Sequence, residues 1–255
     1  MRDFFIIKSI ILIMFINIIL DFIFPKRCLC CGKLGHYLCL KCNNNIKKIE
    51  TNICPVCEYH SIDGKTHPKC QTKYAIDGLI SFWKYEGLVK KIIHKIKYNP
   101  FVSDSIKEII INSDFYNLNP DEKWIKNYSL SFKKYLKENP ILIPIPLHKS
   151  RYRWRGFNHS VIIAKTLAKR WNLKVNEKIL IRTKKTKPQA ELKGEERKKN
   201  IQNAFKSIKV SDFKIQNSNF ILVDDIWTTG STLKTCATLL KRNGAKSVWG
   251  LTLAR

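Results

Sequence analysis

Two adjacent carboxylates and a hydroxyl-rich turn carry the clearest chemical signal in the sequence. The apolar run at 221–223 ends in Asp224 and Asp225, and the turn that follows contains Thr228, Thr229, Gly230, Ser231 and Thr232. An apolar run of this kind predicts a buried strand, and the turn predicts the start of a helix. Amides at a helix N-terminus bind phosphate, and neighbouring carboxylates accept hydrogen bonds from a sugar diol. The segment therefore predicts a site for a ribose 5-phosphate.

An ATPase would also place acidic residues after an apolar strand. Such a protein needs a phosphate loop of the form GxxxxGK[ST] between a strand and a helix. The tripeptide Gly64–Thr66 has Tyr59 at the position of the first glycine, and it lies among closely spaced cysteines. This excludes the ATPase interpretation. An N-capped helix after an acidic strand end, with no ligand, remains the alternative.

Closely spaced cysteines form the second chemical signal, because eight of the nine lie between residues 28 and 70. Ligands separated by two residues are typical of zinc knuckles, and His67 has this spacing from Cys70. The candidate ligands are Cys28, Cys31, Cys39, Cys42, Cys54, Cys57, His67 and Cys70. We expect two closed, structural Zn²⁺ sites. The spacing leaves the pairing of the knuckles open, either sequential or cross-braced.

Other uses of these residues fit less well. His60 could replace His67 as a ligand, although only His67 has the knuckle offset from Cys70. Cys30 is left over, and Cys236 lies in an apolar helical pattern that predicts a buried core residue. A disulfide framework is typical of short secreted chains, so these pairs in a 255-residue chain favour reduced, metal-binding cysteines.

The order of the motifs resembles the ComF family of competence proteins, which join a double zinc finger to a type I phosphoribosyltransferase domain. The resemblance runs from about Leu20 to Arg255. Its pieces are Phe24–Cys28, the paired cysteines, Tyr85 with Gly87, Lys97 with Tyr98, Pro144–Leu147, Arg151, Arg155–Asn158, Arg182 with Thr183, Gln189, Arg197, Asn200, Ala204 with Phe205, and the turn after Asp224. Each piece alone is weak, whereas their order is specific.

The resemblance implies a role for each site residue. Asp224 and Asp225 would bind the ribose hydroxyls of phosphoribosyl pyrophosphate (PRPP), and residues 228–232 would surround its 5-phosphate. Arg151 and Arg155 would face the pyrophosphate, and Mg²⁺ would bind together with PRPP. Electrostatic stabilisation of the leaving pyrophosphate would then carry any catalysis, because no residue stands out as a base.

The resemblance also implies a function in natural competence, through uptake or processing of single-stranded DNA. Competence helicases and recombination-loading proteins would be partners. The alternative is an active phosphoribosyltransferase with an unknown nitrogenous acceptor. The segment from Arg182 to Asn200 would be the mobile hood of such folds. The family pattern has glutamine where this chain has His159, and we expect no glutaminase domain of the kind that amidophosphoribosyltransferases carry.

The charge balance supports an anionic partner. The sequence has 47 Lys+Arg and 20 Asp+Glu, which gives a net charge of +27. Such an excess is typical of proteins that bind nucleic acid, phosphorylated metabolites or anionic lipid. Aromatic residues alternate with arginines over 151–155, where cations could contact phosphates while rings stack on bases. The same arginines would serve a PRPP site, so the charge favours both interpretations.

Elements that alternate along the chain must position these residues. Strand patterns lie at 79–85, 141–143, 178–182, 220–223 and 247–253, and helical patterns lie over 88–97, 160–171 and up to about 242. Residues 101–139 are helical in pattern without a motif. This alternation predicts an α/β fold with a parallel sheet and helices on both faces. We expect an apolar helix over 1–24, a zinc-binding domain over 25–75 and a phosphoribosyltransferase-like domain over 76–255.

The first segment, residues 4–24, is apolar but interrupted by Lys8 and Asp21. Its uninterrupted run at 10–16 is shorter than the roughly 20 residues that span a bilayer. No small-x-small cleavage site follows, which disfavours a signal peptide. We expect a cytoplasmic protein whose first helix packs on the protein or rests on a membrane surface, and a membrane anchor is the alternative.

Overall fold

The computed structural model describes residues 25–98, 103–113, 129–184, 204–207 and 215–255. The chain divides into two compact units after Asn45, so the first two cysteine pairs lie in one unit and the remaining two pairs lie in the other. The apolar helix predicted over 1–24 lies outside the described residues. Within them, no helix is both long enough and apolar enough to cross a membrane. The predicted domain limits of 25–75 and 76–255 stay predictions.

The first unit contains helix α1 (Leu40–Asn44). The strands of the second unit are β1 (Gly78–Trp83), β2 (Ile141–Pro144), β3 (Leu180–Arg182), β4 (Phe205–Ser207), β5 (Asn219–Ile226) and β6 (Ser247–Ala254). Its α-helices are α2 (Gly87–Tyr98), α3 (Ser103–Ile111), α4 (Leu130–Lys137), α5 (Lys149–Arg155), α6 (His159–Trp171) and α7 (Ser231–Arg242), and short 3₁₀ turns lie at Ile62–Gly64 and Pro68–Cys70.

Four parallel strands form the main sheet in the order β1-β6-β5-β2. Every residue of β1 is buried, and only the first residue of β6 is partly exposed. Strands buried on both faces have continuous apolar sequences, which explains why these runs lack the alternation of a half-exposed sheet. The predicted α/β fold with a parallel sheet is confirmed.

The register of the sheet brings two loops to one edge. Pro144 pairs with Val223, and Asp224 pairs with Thr252 on β6. The chain leaves β2 and β5 on the same side, so the loop after Pro144 and the acidic end of β5 lie next to each other. In open parallel sheets this carboxyl edge is where ligands bind.

Two elements differ from the sequence predictions. β3 is a strand, but it pairs antiparallel with β4 instead of joining the parallel sheet. The sequence patterns predict no helix between residues 144 and 160, but the structure has α5 there, and its residues are basic and aromatic and form no apolar stripe. Local capping defines α5, because the His148 side chain accepts from the amide of Ser150 and Gly156 ends the helix with a φ of 76°.

Candidate functional site

A cleft of about 690 Å³ opens at the carboxyl edge of the sheet. Asp224 and Asp225 line it, together with four residues of the turn that begins α7, namely Thr228, Gly230, Ser231 and Thr232. Basic side chains of other elements also line it: Lys90 and Lys97 from α2, Arg151 and Arg155 from α5, and Arg182 from β3. The structure therefore brings together most residues of the predicted sugar-phosphate site.

The two carboxylates have different partners. The Asp225 side chain is buried, and its Oδ2 lies 2.6 Å from the ammonium of Lys97. Its Oδ1 lies 3.5 Å from His159 Nε2. Asp224 Oδ1 accepts from the hydroxyl of Ser160 at 3.1 Å and from the amide of Asp225 at 2.9 Å. Cationic and hydroxyl groups from α2 and α6 thus hold the acidic pair in place.

Burial and these partners separate the ionisation of the two acids. Burial raises the pKa of Asp224, and the neighbouring charge of Asp225 raises it further. Burial opposes ionisation of Asp225 too, but Lys97 and His159 outweigh it and hold the pKa of Asp225 well below its usual range. Asp225 is therefore an anion over the physiological range, paired with Lys97.

The turn that begins α7 has a geometry that only glycine accommodates at one position. Gly230 precedes the first helical residue and has a φ of 65°, in the left-handed region. A Cβ at this position would lie 2.0 Å from Cζ2 of the Trp227 ring. The tight turn brings the first amides of α7 to the cleft, where the positive end of the helix favours an anion.

Thr229 does not line the cleft with the other turn residues. Its hydroxyl instead donates to Oγ of Ser231 at 3.1 Å. Because Ser231 lines the cleft, Thr229 orients a hydroxyl group that faces the ligand. Its predicted contact with a phosphate stays a prediction.

We expect Gly230→Ala to destabilise the protein and to weaken binding of ribose 5-phosphate. The added methyl group both strains the left-handed backbone and overlaps Trp227, and overpacking of this kind costs about 1–3 kcal/mol. Gly156→Ala is the matched control, because Gly156 has a φ of 76° but no heavy atom lies within 4 Å of the place that an added methyl group would take. Thermal unfolding measures both variants. Equal losses of stability in the two would contradict the role of the Trp227 contact.

The sequence did not predict that Lys97, His159 and Ser160 contact the two aspartates. Lys97 was a piece of the family pattern without a role, and His159 was a departure from it. Ser160 carried no signal, because one serine at the start of a helix is common. Arg155 Nη1 lies 3.4 Å from His159 Nδ1, so α5 also contacts this network. Gln189, Arg197 and Asn200 lie outside the described residues.

The structure sorts the eight predicted ligands into two groups of four, and within each group the ligand atoms lie within 4.8 Å of one another. The first group is Cys28, Cys31, Cys39 and Cys42, and the second is Cys54, Cys57, His67 and Cys70. Knuckles that follow each other in the sequence therefore pair, which answers the question that the spacing left open.

His67, and not His60, faces the sulfur atoms of the second group. Its Nδ1 lies 3.3 Å from Cys57 Sγ, while its Nε2 lies 2.9 Å from the backbone oxygen of His60. A carbonyl oxygen only accepts, so Nε2 carries the proton and Nδ1 keeps its lone pair. This is the tautomer that a metal-binding histidine needs when its second nitrogen is held by the backbone.

Backbone amides prepare one thiol of each group for metal binding. Burial acts against ionisation of Cys28, but hydrogen bonds from the amides of Cys31, Cys39 and Cys30 lower its pKa to about 6. In the second group, burial is likewise outweighed by the amides of Cys57, His67 and Val56, and the pKa of Cys54 falls to about 7. Four cysteines in the first group, and three cysteines with one histidine in the second, are ligand sets that fit a tetrahedral Zn²⁺ site.

Comparison with known proteins agrees with both parts of the site. Residues 19–71 match the family model of the double zinc ribbon domain, and residues 158–255 match that of the phosphoribosyl transferase domain. The competence protein ComFC of Bacillus subtilis (strain 168) is 26% identical over 227 residues, which cover 86% of this chain and 84% of that protein. The resemblance to the ComF family is therefore confirmed, with a double zinc ribbon followed by a phosphoribosyl transferase domain.

Two other relatives match the chain over a shorter stretch. Competence protein F of Haemophilus influenzae is 36% identical over 121 residues, or 52% of that protein. The DNA utilization protein YhgH of Escherichia coli O6:H1 is 36% identical over 107 residues, or 45% of that protein. The chain spans about half the length of these relatives.

The two segments that match the family models contain the zinc-ligand groups, the acidic pair and the turn before α7. The zinc ribbon match includes all eight candidate ligands, and the transferase match includes the acidic pair and the turn before α7. Four cleft-lining cations lie outside both matches, namely Lys90, Lys97, Arg151 and Arg155. The fold therefore adds four cations to a site that the family models cover only in part.

Proposed function

We propose that the chain binds PRPP in the cleft and single-stranded DNA on its basic surface, and that it acts in natural competence. The position of the acidic pair of β5, directly before the turn that begins α7 and within one cationic cleft, carries the PRPP proposal. The names of the relatives, two competence proteins and a DNA utilization protein, support the biological setting. We place this function in the cytoplasm, with competence helicases and recombination-loading proteins as partners.

The proposed contacts follow the charges of the cleft. The 5-phosphate would bind the amides and hydroxyls at the start of α7, and the ribose diol would bind Asp224 and Asp225. Arg151 and Arg155 would neutralise the pyrophosphate. Asp225 already has a cation beside it, since Lys97 lies at 2.6 Å. Mg²⁺ would therefore come with PRPP, held largely by phosphate oxygens, and would supply charge neutralisation at the pyrophosphate.

Calorimetry with Mg-PRPP tests the first half of the proposal. We expect saturable binding to the wild-type chain, with ribose 5-phosphate as a weaker ligand because it lacks the pyrophosphate. Inorganic phosphate at the same ionic strength is the control for nonspecific attraction to the basic surface. Absence of PRPP binding would refute this half of the proposal.

A second candidate is an active phosphoribosyltransferase. The cations around the acidic pair favour it, because Arg151, Arg155 and Arg182 line the cleft where the negative charge of a leaving pyrophosphate would grow. The bond from ribose C1 to the pyrophosphate oxygen would break, a nitrogen would bond to C1, and its proton would go to solvent. Release of pyrophosphate in the presence of nitrogenous acceptors would support turnover, and binding without release would leave a ligand-binding site.

Helix α2 supports the DNA half of the proposal. Its apolar side chains face the core, with Val89, Ile92, Ile93 and Ile96 buried. Its exposed side chains are those of Lys90, Lys91, His94, Lys95 and Tyr98. On α5, Tyr152, Arg153 and Trp154 are exposed as well. Cations beside accessible rings are the groups that bind single strands, through phosphates and stacked bases.

The salt dependence of DNA binding tests this surface. For single strands, the slope of log K against log salt is about −0.7 for each phosphate neutralised. Lys90→Gln with Lys91→Gln should therefore make the slope shallower by about 1.4, because two such contacts are lost. Fluorescence anisotropy with a labelled oligonucleotide at several salt concentrations measures it. The control double variant is Lys165→Gln with Lys169→Gln, two exposed lysines of α6, and an equal change there would contradict the role of α2.

A further inference from the structure

The rim of the cleft presents aromatic surface that PRPP does not use. Trp154 is 66% exposed and Tyr98 is 51% exposed, although both line the cleft. Tryptophan and tyrosine side chains carry a large apolar area, so they are usually well covered in a folded protein. PRPP is a sugar with phosphate groups and has no planar ring. The two rings therefore need a different explanation from the acidic pair and the turn.

The rim is organised by contacts among its own side chains. The ring centroids of Tyr98 and Trp154 are 5.7 Å apart in an edge-on arrangement, and those of His94 and Tyr98 are 4.6 Å apart. The guanidinium carbon of Arg155 lies 5.5 Å from the centroid of the Tyr98 ring. In an edge-on pair, one ring contacts the other through its edge, so that contact covers neither face of the first ring. Rings that hold each other in this way lose little conformational entropy when a planar ligand stacks on them.

We propose that this rim, formed by His94, Tyr98, Trp154 and Arg155, is the subsite for a nucleobase, so that the cleft accepts a nucleotide and not only a sugar phosphate. The inference rests on the proposed function: the turn before α7 takes the phosphate, the acidic pair takes the ribose, and the rim takes the ring attached to C1. A free mononucleotide and a nucleotide of a DNA single strand would both present a phosphate, a sugar and a base to these three parts of the cleft.

The donors of the rim favour a base with keto oxygens. Among the described residues that line the cleft, the carboxylates are Asp224 and Asp225, which belong to the ribose end. Arg155 carries only donors, and a nucleotide with a base at C1 has no pyrophosphate there for this arginine to neutralise. An arginine fork matches O6 and N7 of guanine, whereas adenine presents an amino group in place of O6. We therefore expect guanine to bind better than adenine.

Calorimetry with GMP, AMP and ribose 5-phosphate tests the proposal on the full chain. Stacking on an aromatic side chain contributes about 1–3 kcal/mol, so GMP should bind about 5- to 150-fold more tightly than ribose 5-phosphate. Trp154→Ala and Tyr98→Ala should each remove most of this difference while leaving the affinity for ribose 5-phosphate unchanged. Tyr59→Ala is the control, because Tyr59 is 77% exposed and lies outside the cleft lining.

The outcomes separate this proposal from the function on which it rests. Equal affinities of the wild type for GMP and ribose 5-phosphate would overturn the base subsite while leaving sugar-phosphate binding intact. Loss of GMP and ribose 5-phosphate affinity together in Trp154→Ala would also overturn it, because the residue would then act on the whole cleft. No affinity for ribose 5-phosphate or PRPP in the wild type would instead refute the proposed function.

A competition experiment identifies the source of the base. Displacement of GMP by a single-stranded oligonucleotide, but not by an abasic strand of equal length, would show that the rim takes a base of the strand. GMP binding that neither strand displaces would assign the rim to free mononucleotides. Both results support a base subsite, whereas equal displacement by the two strands would show that phosphates alone compete and would count against stacking in the strand.

Discussion

Asp224→Asn with Asp225→Asn is expected to weaken PRPP binding by at least about 100-fold. Hydrogen bonds to a charged partner contribute about 1.5–3 kcal/mol each, and the variant removes both carboxylates that the ribose diol would contact. An amide can still accept a hydrogen bond, but it carries no charge and presents a donor on its other side. Calorimetry with Mg-PRPP measures the loss.

Stability must be measured alongside affinity, because Asp225 also neutralises Lys97 at 2.6 Å. Asparagine at position 225 leaves that ammonium without its anion in a largely enclosed site, which destabilises the fold. The single variant Asp224→Asn keeps the pair of Asp225 and Lys97, and its side chain can still accept from Ser160. We expect it to fold as the wild type does and to lose about 10-fold or more in affinity.

The control for charge is Glu177→Gln, because Glu177 pairs with Lys165 at 2.7 Å on an exposed surface. Removal of that anion changes the net charge by the same amount as Asp224→Asn and should leave PRPP binding unchanged. Wild-type affinity in the folded Asp224→Asn variant would mean that the acidic pair does not bind the ribose. A loss equal to that of the control would mean that only the net charge matters.

Local patterns in the sequence were sufficient to predict the acidic pair, the turn and the strand that carries them. The run at 220–223 is apolar because β5 is covered on both faces, and the change to acidic and hydroxyl residues coincides with the edge of the sheet. These features lie within a dozen consecutive residues, so no knowledge of the tertiary fold was needed to connect them.

Contacts between distant segments could not be predicted in the same way. Lys97 ends α2 and Ser160 begins α6, and only the packing of these helices at the sheet edge brings them to Asp225 and Asp224. The antiparallel pairing of β3 with β4 was not predicted for a related reason. A strand of three residues does not show in its sequence which strand it pairs with. Helix α5 was not predicted because its residues are basic and aromatic. Its limits are defined by capping residues and not by an apolar stripe.

The second cysteine group is tied to the α/β unit by hydrogen bonds on several sides. The amide of Thr66 donates to the carbonyl of Asp77 at 2.9 Å, next to β1. The carboxylate of Asp63 accepts from the amides of Leu130 and Ser131 at 3.1 and 3.2 Å, at the start of α4. Lys234 on α7 lies 3.3 Å from Glu58. A metal that holds this segment would therefore also support the elements that frame the cleft.

Cys54→Ser with Cys57→Ser is accordingly expected to lower the melting temperature by more than about 10 °C. A structural zinc site contributes a large share of folding free energy, and each kcal/mol shifts the melting temperature of a domain of this size by about 2–4 °C. We propose that the wild type holds two Zn²⁺ ions, so the variant should hold one. Elemental analysis gives the metal content. Calorimetry should show weaker PRPP binding, because the segment that contacts Lys234 of α7 through Glu58 is no longer held in place.

The matched variant is Cys28→Ser with Cys31→Ser, which removes two ligands from the first group. That group lies in the other compact unit, so one zinc ion should again be lost while PRPP affinity stays at the wild-type value. The comparison shows whether the metal of the second group stabilises the cleft, while the metal of the first group stabilises only its own zinc ribbon. Equal effects of the two variants on PRPP binding would contradict this difference, and full metal content in either would show that its cysteines are not zinc ligands. The contrast thus tests the ligand sets and the division of the chain with one pair of proteins.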